Sequence, residues 1–245
     1  MADELVRMNI EVIYAGGSSG VRAAFNATRE IPIVAVDLET DPIASRMVAS
    51  LARPGGNLTG FFLDLPEFSA KRLEILKEAL PTVSRVVVLW DSSLDPAPLS
   101  RMDSAARTLK LGLIRSEVRT VADIENAFRT AADRKAQAVM VMQSPTLDGY
   151  KDQILQFGEK YRLPVFAVFA NFAAEGAVLS YGPNVNEMVA RSAAYVDRIL
   201  RGAKPGDLPI QRPVKFDLLV NLKAAKALGL SITHSVLVRA DEVVH

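Results

Sequence analysis

Cysteine is absent from this chain, and histidine occurs only twice among 245 residues, as His234 and His245. The first absence excludes disulfides, thiolate metal sites and thiol nucleophiles. Both histidines lie close to the C-terminus, away from the strand ends where α/β sites form, so neither a Ser-His-Asp triad nor a His-based metal site is expected. His234 reads as a surface loop residue. An excess of charge is lacking as well: 29 basic residues stand against 28 acidic ones, for a formal net charge of +1. No strong field for phosphate backbones results, and nucleic acid is not an expected partner. Long apolar runs are missing too. Val86 to Trp90 and Val165 to Ala170 fall far short of the roughly 20 residues a helix needs to cross a bilayer, so no direct membrane insertion is expected. The N-terminus, Met-Ala-Asp-Glu-Leu-Val-Arg, lacks the basic start and apolar stretch of a secretory signal and reads as part of a helix.

What remains is an ordinary globular composition, 49% apolar and 23% charged, in a chain long enough for one large α/β core or two modest ones. Met1 to Met8 reads as the tail of an amphipathic helix and Ile10 to Ala15 as a strand. A Gly-rich turn follows, Gly16 to Gly20, then a helix through Val21, Ala24, Phe25 and Thr28, then a strand from Ile31 to Val36 ending in Asp37. Asp41 with Pro42 predicts an N-cap and first turn, opening a helix to about Leu51 that Pro54, Gly55 and Gly56 stop. Leu58 to Leu63 is a further strand and Glu67 to Leu80 a long helix. The run Val-Val-Val-Leu-Trp within Arg85 to Trp90 lacks polar alternation, as a strand covered on both faces does. The alternation continues with helix Pro98 to Lys110, strand Leu113 to Val118, helix Val121 to Arg134 and strand Ala138 to Met142. Helix Leu147 to Tyr161 and strands Val165 to Phe169 and Ala177 to Tyr181 come next, the signature of a doubly wound sheet. In the helix Val185 to Leu200, the residues Val185, Met188, Val189, Ser192, Val196, Ile199 and Leu200 form the expected apolar stripe. A polar linker with Pro205 and Pro209 leads to strand Phe216 to Val220 and helix Leu222 to Leu228, closed by Gly229.

Candidate functional residues gather at the ends of these strands. The turn carrying Gly17, Ser18 and Ser19 joins a strand to a helix whose free N–H groups favour an anion, with Ser18 or Ser19 as N-cap in the competing structural reading. It lacks the Lys of a P-loop and does not match GxGxxG. Asp37, Glu39 and Asp41 could receive an ammonium group, against a capping role for Asp41; their spacing fails the EF-hand pattern, and no metal is expected. Asp91, Ser92 and Ser93 follow one strand, and Gln143, Ser144 and Pro145 follow another. Phe169, Asn171 and Phe172 follow a third and could add an aromatic surface. Individually each is a polar loop or a core aromatic; their shared position at strand ends is what marks them.

Several strings, in order and at these separations, resemble the ABC transporter substrate-binding family of the tryptophan/tyrosine type. They are Ile31-Pro-Ile-Val, Asp41-Pro, Leu51-Ala-Arg-Pro-Gly-Gly-Asn-Leu-Thr-Gly60, Lys71-Arg-Leu-Glu-Ile-Leu-Lys, Ser180-Tyr-Gly-Pro-Asn184, Tyr195-Val-Asp-Arg-Ile-Leu-Arg-Gly-Ala-Lys-Pro205, Asn221-Leu-Lys-Ala-Ala-Lys-Ala-Leu-Gly-Leu230 and Arg239-Ala-Asp-Glu-Val243. The resemblance implies an α/β fold of two Rossmann-like lobes of the periplasmic binding protein type I kind. The lobes would hinge on crossovers near Phe61 to Asp64, Ser180 to Pro183 and Pro209 to Pro213. One lobe would hold residues 1–62 and 183–210, the other 63–182 and 211–245. Family members start with an export signal and a strand-helix-strand ahead of the part matched here, so the N-terminal lobe is expected to be incomplete, and periplasmic location belongs to the full-length relative. The implied role is capture of a small solute, such as an amino acid, for ABC permease membrane subunits, without catalysis or cofactor. Ser18 and Ser19 N–H groups would hold its carboxylate, Asp37 or Asp41 its ammonium, and Ser92, Ser93, Ser144, Phe169, Asn171 and Tyr181 would complete the site. Two other readings stay open: a cytosolic ligand-sensing domain, and an enzyme on a flavodoxin-like scaffold using Asp37 or Asp91, which calls for a carboxyl group with a strongly raised pKa.

Overall fold

The computed structural model describes residues 2–8, 10–63, 68–94 and 97–245. Met1, the expected helix start at Glu67 and the Asp64 end of the first crossover lie outside them. The elements run α1 (Ala2–Arg7), β1 (Ile13–Gly16), α2 (Gly17–Ala27), β2 (Ile33–Asp37), β3 (Leu58–Phe62), α3 (Phe68–Ala79), β4 (Arg85–Trp90), α4 (Ala97–Thr108), β5 (Gly112–Glu117), α5 (Val121–Asp133) and β6 (Ala138–Val141). They continue as α6 (Pro145–Gly149), α7 (Lys151–Lys160), β7 (Val165–Ala167), α8 (Ala170–Glu175), β8 (Leu179–Pro183), α9 (Val185–Leu200), β9 (Phe216–Asn221), α10 (Leu222–Ala227), α11 (His234–Arg239) and β10 (Glu242–Val244). The chain divides into two compact units, Met1–Leu65 with Asn184–Lys215, and Pro66–Pro183 with Phe216–His245.

In the first unit β1, β2 and β3 form a three-stranded sheet in that order, all parallel. β2 sits in the middle, and all five of its residues are buried, as a continuous apolar run dictates. Ile13, Ala15, Val21, Ala24, Ile33, Ala35, Leu58 and Phe62 make its core. β3 approaches β2 closely at Gly60, whose φ is 129° and where a Cβ would lie 2.1 Å from the Ala35 carbonyl oxygen. Glycine alone fits that backbone. α9 packs on β2 and β3. The face it buries carries Met188, Ser192, Tyr195 and Ile199, while Val189 and Leu200 of the expected stripe are exposed. Spacings of four, three and four residues align those positions along one line, and Tyr195 takes the central place because its hydroxyl donates to the Pro209 carbonyl at 2.6 Å and its ring meets Phe61 edge-on.

Asp41 and Pro42 do not open a long helix. The segment is one turn: Asp41 Oδ1 accepts from the N–H groups of Ile43 and Ala44, then Arg46 takes a positive φ of 57° and the Met47 N–H returns to the Pro42 carbonyl. A left-handed residue at that point ends any helix, so the capping reading of Asp41 holds without the helix it was to cap.

The second unit has a seven-stranded sheet in the order β10-β9-β8-β7-β6-β4-β5, parallel except for β8 against β9. The valine run in β4 is divided between two cores: Val86 and Val88 face α3 and α4 beside Leu73, Leu76 and Met102, whereas Val87 and Leu89 face Ile124, Phe128 and Ile154 of α5 and α7. Period-two alternation with both faces covered leaves no polar position, which is why the run is unbroken. The single helix expected from Leu147 to Tyr161 is two, α6 and α7, broken at Tyr150 after Gly149. The helix α8, the helix α11 and the strand β10 carry too few residues for a periodic signal; His234 is the first residue of α11, not a loop residue.

Candidate functional site

Parallel strands direct their carboxyl ends, and the loops that follow, to one edge of each sheet. In the first unit that edge carries the β1–α2 turn and the loop after β2. Gly17 has φ of 71°, a left-handed conformation that favours glycine and lets the chain pass directly from strand to helix. The helix therefore begins at Gly17, and its N-cap is Gly16, with no side-chain cap bond. Ser18 and Ser19 lie inside the first turn; neither is the N-cap that the structural reading expected.

The end of α2 is already occupied. The Ser18 N–H donates to Glu39 Oε2 at 2.9 Å, so a carboxylate of the chain itself sits where a solute anion was expected. Asp37 sets this up: fully buried at the end of β2, it accepts the N–H groups of Glu39 and Thr40 on Oδ1, each at 3.0 Å, which bends the loop back toward α2. Its other oxygen, Oδ2, is buried without a hydrogen-bond partner. A buried carboxylate oxygen left unmatched costs about 1–3 kcal/mol or more, so this atom is poised for a donor. Asp41 is exposed and spends Oδ1 on its own turn.

In the second unit the strand ends of β4 and β6 are tied by Asp91. Its Oδ1 accepts the Ser93 N–H at 2.9 Å and hydroxyl at 2.6 Å, and its Oδ2 accepts the Ser144 hydroxyl at 2.8 Å. Burial works to raise the Asp91 pKa, but the hydrogen bonds from Ser93, Thr146 and Ser144 together hold the carboxyl below the usual aspartate range. That is the opposite of the raised carboxyl that acid catalysis at Asp91 called for. Ser144 is completely buried and caps α6, accepting from Thr146 and Leu147 N–H while donating to Asp91. Its hydroxyl is thereby fully used. Ser93 lies at the exposed surface of this network. Ser92 turns to β5, donating to Glu117 and accepting from Arg119 Nε at 2.9 Å.

Phe169 is half-buried and precedes α8, where Asn171 is exposed. Tyr181 stacks on Phe216, centroids 5.7 Å apart, and meets Phe68 at 6.0 Å. Burial raises the Tyr181 hydroxyl pKa, a nearby Lys71 opposing it. No hydrogen bond or ring contact among the described residues joins Phe169, Asn171 or Tyr181 to the Asp91 network.

In the sequence Arg72 is one residue of a charged helix string, with nothing local to mark it. It is 1% exposed, with Nη2 donating to the carbonyls of Val141 at 2.7 Å and Phe166 at 3.4 Å, and Nε buried without a partner. Desolvation pulls its pKa down to about 9, so it remains charged at neutral pH. Among the described residues no group of three or more His, Cys, Asp or Glu gathers as a metal site, and no helix is long and apolar enough to cross a membrane.

Known proteins share this architecture. A conserved domain protein of Vibrio cholerae O1 biovar El Tor is 28% identical, with a TM-score of 0.89 over 99% of this chain and 81% of that one. An ABC domain from Streptococcus pneumoniae, solved in complex with L-Trp, is 22% identical, with a TM-score of 0.90 over 100% of this chain and 82% of that one. A tyrosine-binding protein of Clostridioides difficile is 22% identical over 249 residues, 99% of this chain and 70% of the relative. The fold is accordingly the periplasmic binding protein type I kind of α/β structure. The model of the ABC transporter substrate binding protein family matches residues 1–244, and the chain belongs to that family.

Proposed function

We propose that this protein captures a small amino acid or related amphipathic acid outside the cytoplasm and delivers it to the permease subunits of an ABC importer. The observation that carries this reading is that each unit gathers its polar groups at the carboxyl ends of its strands, Asp37 with the α2 terminus in one, and Ser93 with Asp91 in the other. Relatives with tyrosine and L-Trp as ligands support an amino acid as the solute. Asp37, through its unmatched oxygen, is the proposed partner of the ammonium group. The other proposed contacts are Gly17, Ser19 and Asp41 of the strand-end loops in the first unit and Ser93, Phe169, Asn171 and Tyr181 in the second. Ser92 and Ser144 hold the strand-end loops of β4 and β6, from the first of which Ser93 projects.

A thermal-shift screen of the protein against the twenty amino acids tests the proposal. A solute at 100 times its dissociation constant adds about 2.7 kcal/mol, read as a clear rise in melting temperature. The expected responders are L-tyrosine, L-tryptophan or another amphipathic amino acid. No response to any of them, together with turnover of a bound compound, overturns the reading in favour of an enzyme.

A further inference from the structure

We propose that Arg72 is a specificity-determining residue, which selects solutes bearing a carboxylate and draws that carboxylate to the strand-end loops of β6 and β7. The inference rests on the solute-binding function proposed above and names the anionic half of its ligand. Arg72 stands in the second turn of α3, and everything that touches its guanidinium is neutral. The carbonyls of Val141 and Phe166 accept from Nη2, Met142 Sδ lies 3.9 Å from Nη1, and the rings of Phe166 and Phe68 lie 5.2 and 5.9 Å from its central carbon. No carboxylate pairs with it among the described residues, and Nε has no acceptor at all. A buried charge without a counter-charge opposes folding, and an apolar side chain of similar volume would be the more stable choice. The cation therefore stands where stability alone would not put it.

Its position gives it a use. Val141 is the last residue of β6, so the guanidinium lies directly beneath the loop Met142 to Ser144 that leads into α6. The elements on either side of it, α3 and β6, give Leu73, Leu76 and Met140 to the same apolar core as Phe166, and such side chains cannot screen a charge. In so weakly polarisable a surrounding the charge acts at longer range than in water, and toward the strand ends the Asp91 carboxylate is already engaged by Ser93, Thr146 and Ser144 and makes no ion pair with it. The first unit is arranged the opposite way. There the α2 terminus already holds Glu39, and Asp37 keeps an oxygen for a donor. Asp37 thus offers an acceptor for an ammonium group, and Arg72 supplies a positive charge for a carboxylate.

The test compares L-tyrosine and L-tryptophan with their carboxamides, which keep the ammonium and ring but carry no negative charge, by calorimetry on the intact protein. The wild type is expected to prefer the acid by at least about tenfold. Arg72→Met is expected to bind acid and amide alike, and Arg72→Lys to restore the preference. Because Arg72→Met places its change in a packed core, Met142→Glu provides a second arm. It supplies an internal counter-charge next to the intact arginine and is expected to abolish the preference, whereas Met142→Gln keeps it. Equal binding of acid and amide by the wild type, or a wild-type ratio in either Arg72→Met or Met142→Glu, overturns the role of Arg72 and leaves amino-acid capture standing. Failure of the wild type to bind any amino acid removes both.

Discussion

Asp91 shows how a single side chain orders the strand ends of the second unit. It accepts from Ser93 twice and from Ser144 once, and Ser144 in turn caps α6, so one carboxylate joins β4, the loop after it, and the first turn following β6. Because the folded state holds its pKa below the ordinary value of 3.8, the unfolded chain binds the proton more readily. Stability from this group is thus fully present above that value and is lost as pH falls through the lower, folded pKa. Asp91→Asn keeps the shape but removes the charge and one acceptor, and it is expected to cost about 2–3 kcal/mol at neutral pH. Urea midpoints should show that cost, with the gap between variant and wild type narrowing as pH falls below the ordinary aspartate range. A gap that is constant with pH would mean that the carboxylate form is not what the network holds.

Elements in this chain are decided by where a strand can be crowded and where a helix can begin. β2 and β3 are brought together at Gly60, where a Cβ would strike both the nitrogen and the oxygen of Ala35, at 2.6 and 2.1 Å. Gly60→Ala is expected to destabilise the protein by at least about 1–3 kcal/mol, as overpacking of a closed core does. Circular dichroism melts of the variant measure this; an unchanged melting temperature would show that the two strands can separate freely at that point. The first turn of α2 makes a different point. A strand that passes straight into a helix leaves free N–H groups pointing at the sheet edge, and here a residue 21 positions away, Glu39, fills one of them. Nothing in the local sequence of the Gly-Gly-Ser-Ser turn indicates this, since a cap from a distant loop has no fixed spacing.

Across the whole molecule, the two units differ in how far their sheets are enclosed. β4 is hydrogen-bonded on both sides, to β5 and β6, and lies between two apolar clusters. β1 pairs only with β2 among the described residues, and alternate residues of it, Tyr14 and Gly16, are exposed. Amide hydrogen exchange is expected to be slowest in β4 and β6 and markedly faster in β1, because local opening of an edge strand breaks fewer buried contacts. Mass-spectrometric exchange on the intact protein resolves the two regions; uniform protection would show that the first unit opens only with global unfolding.

Much of this is legible in the sequence alone. Period-two and period-3.6 patterns located β4, α5, α9 and β9 within a residue or two, because those elements bury whole faces and must repeat the apolar residue to do so. Strings such as Arg53-Pro-Gly-Gly-Asn57 carried the family, since they answer to backbone turns that few residues can make. That Asp37, Ser93 and Ser144 each lie at or just after the end of a strand could be read from the alternation of elements alone. Their roles could not. That Glu39 closes α2, that Ser144 is sealed beneath Asp91, and that Arg72 is buried without a counter-charge all depend on pairs separated by 21, 53 and about 70 positions in the chain. Periodicity reports which face of an element is covered; only the packed structure decides which charge meets which, because electrostatic partners are chosen by distance in space.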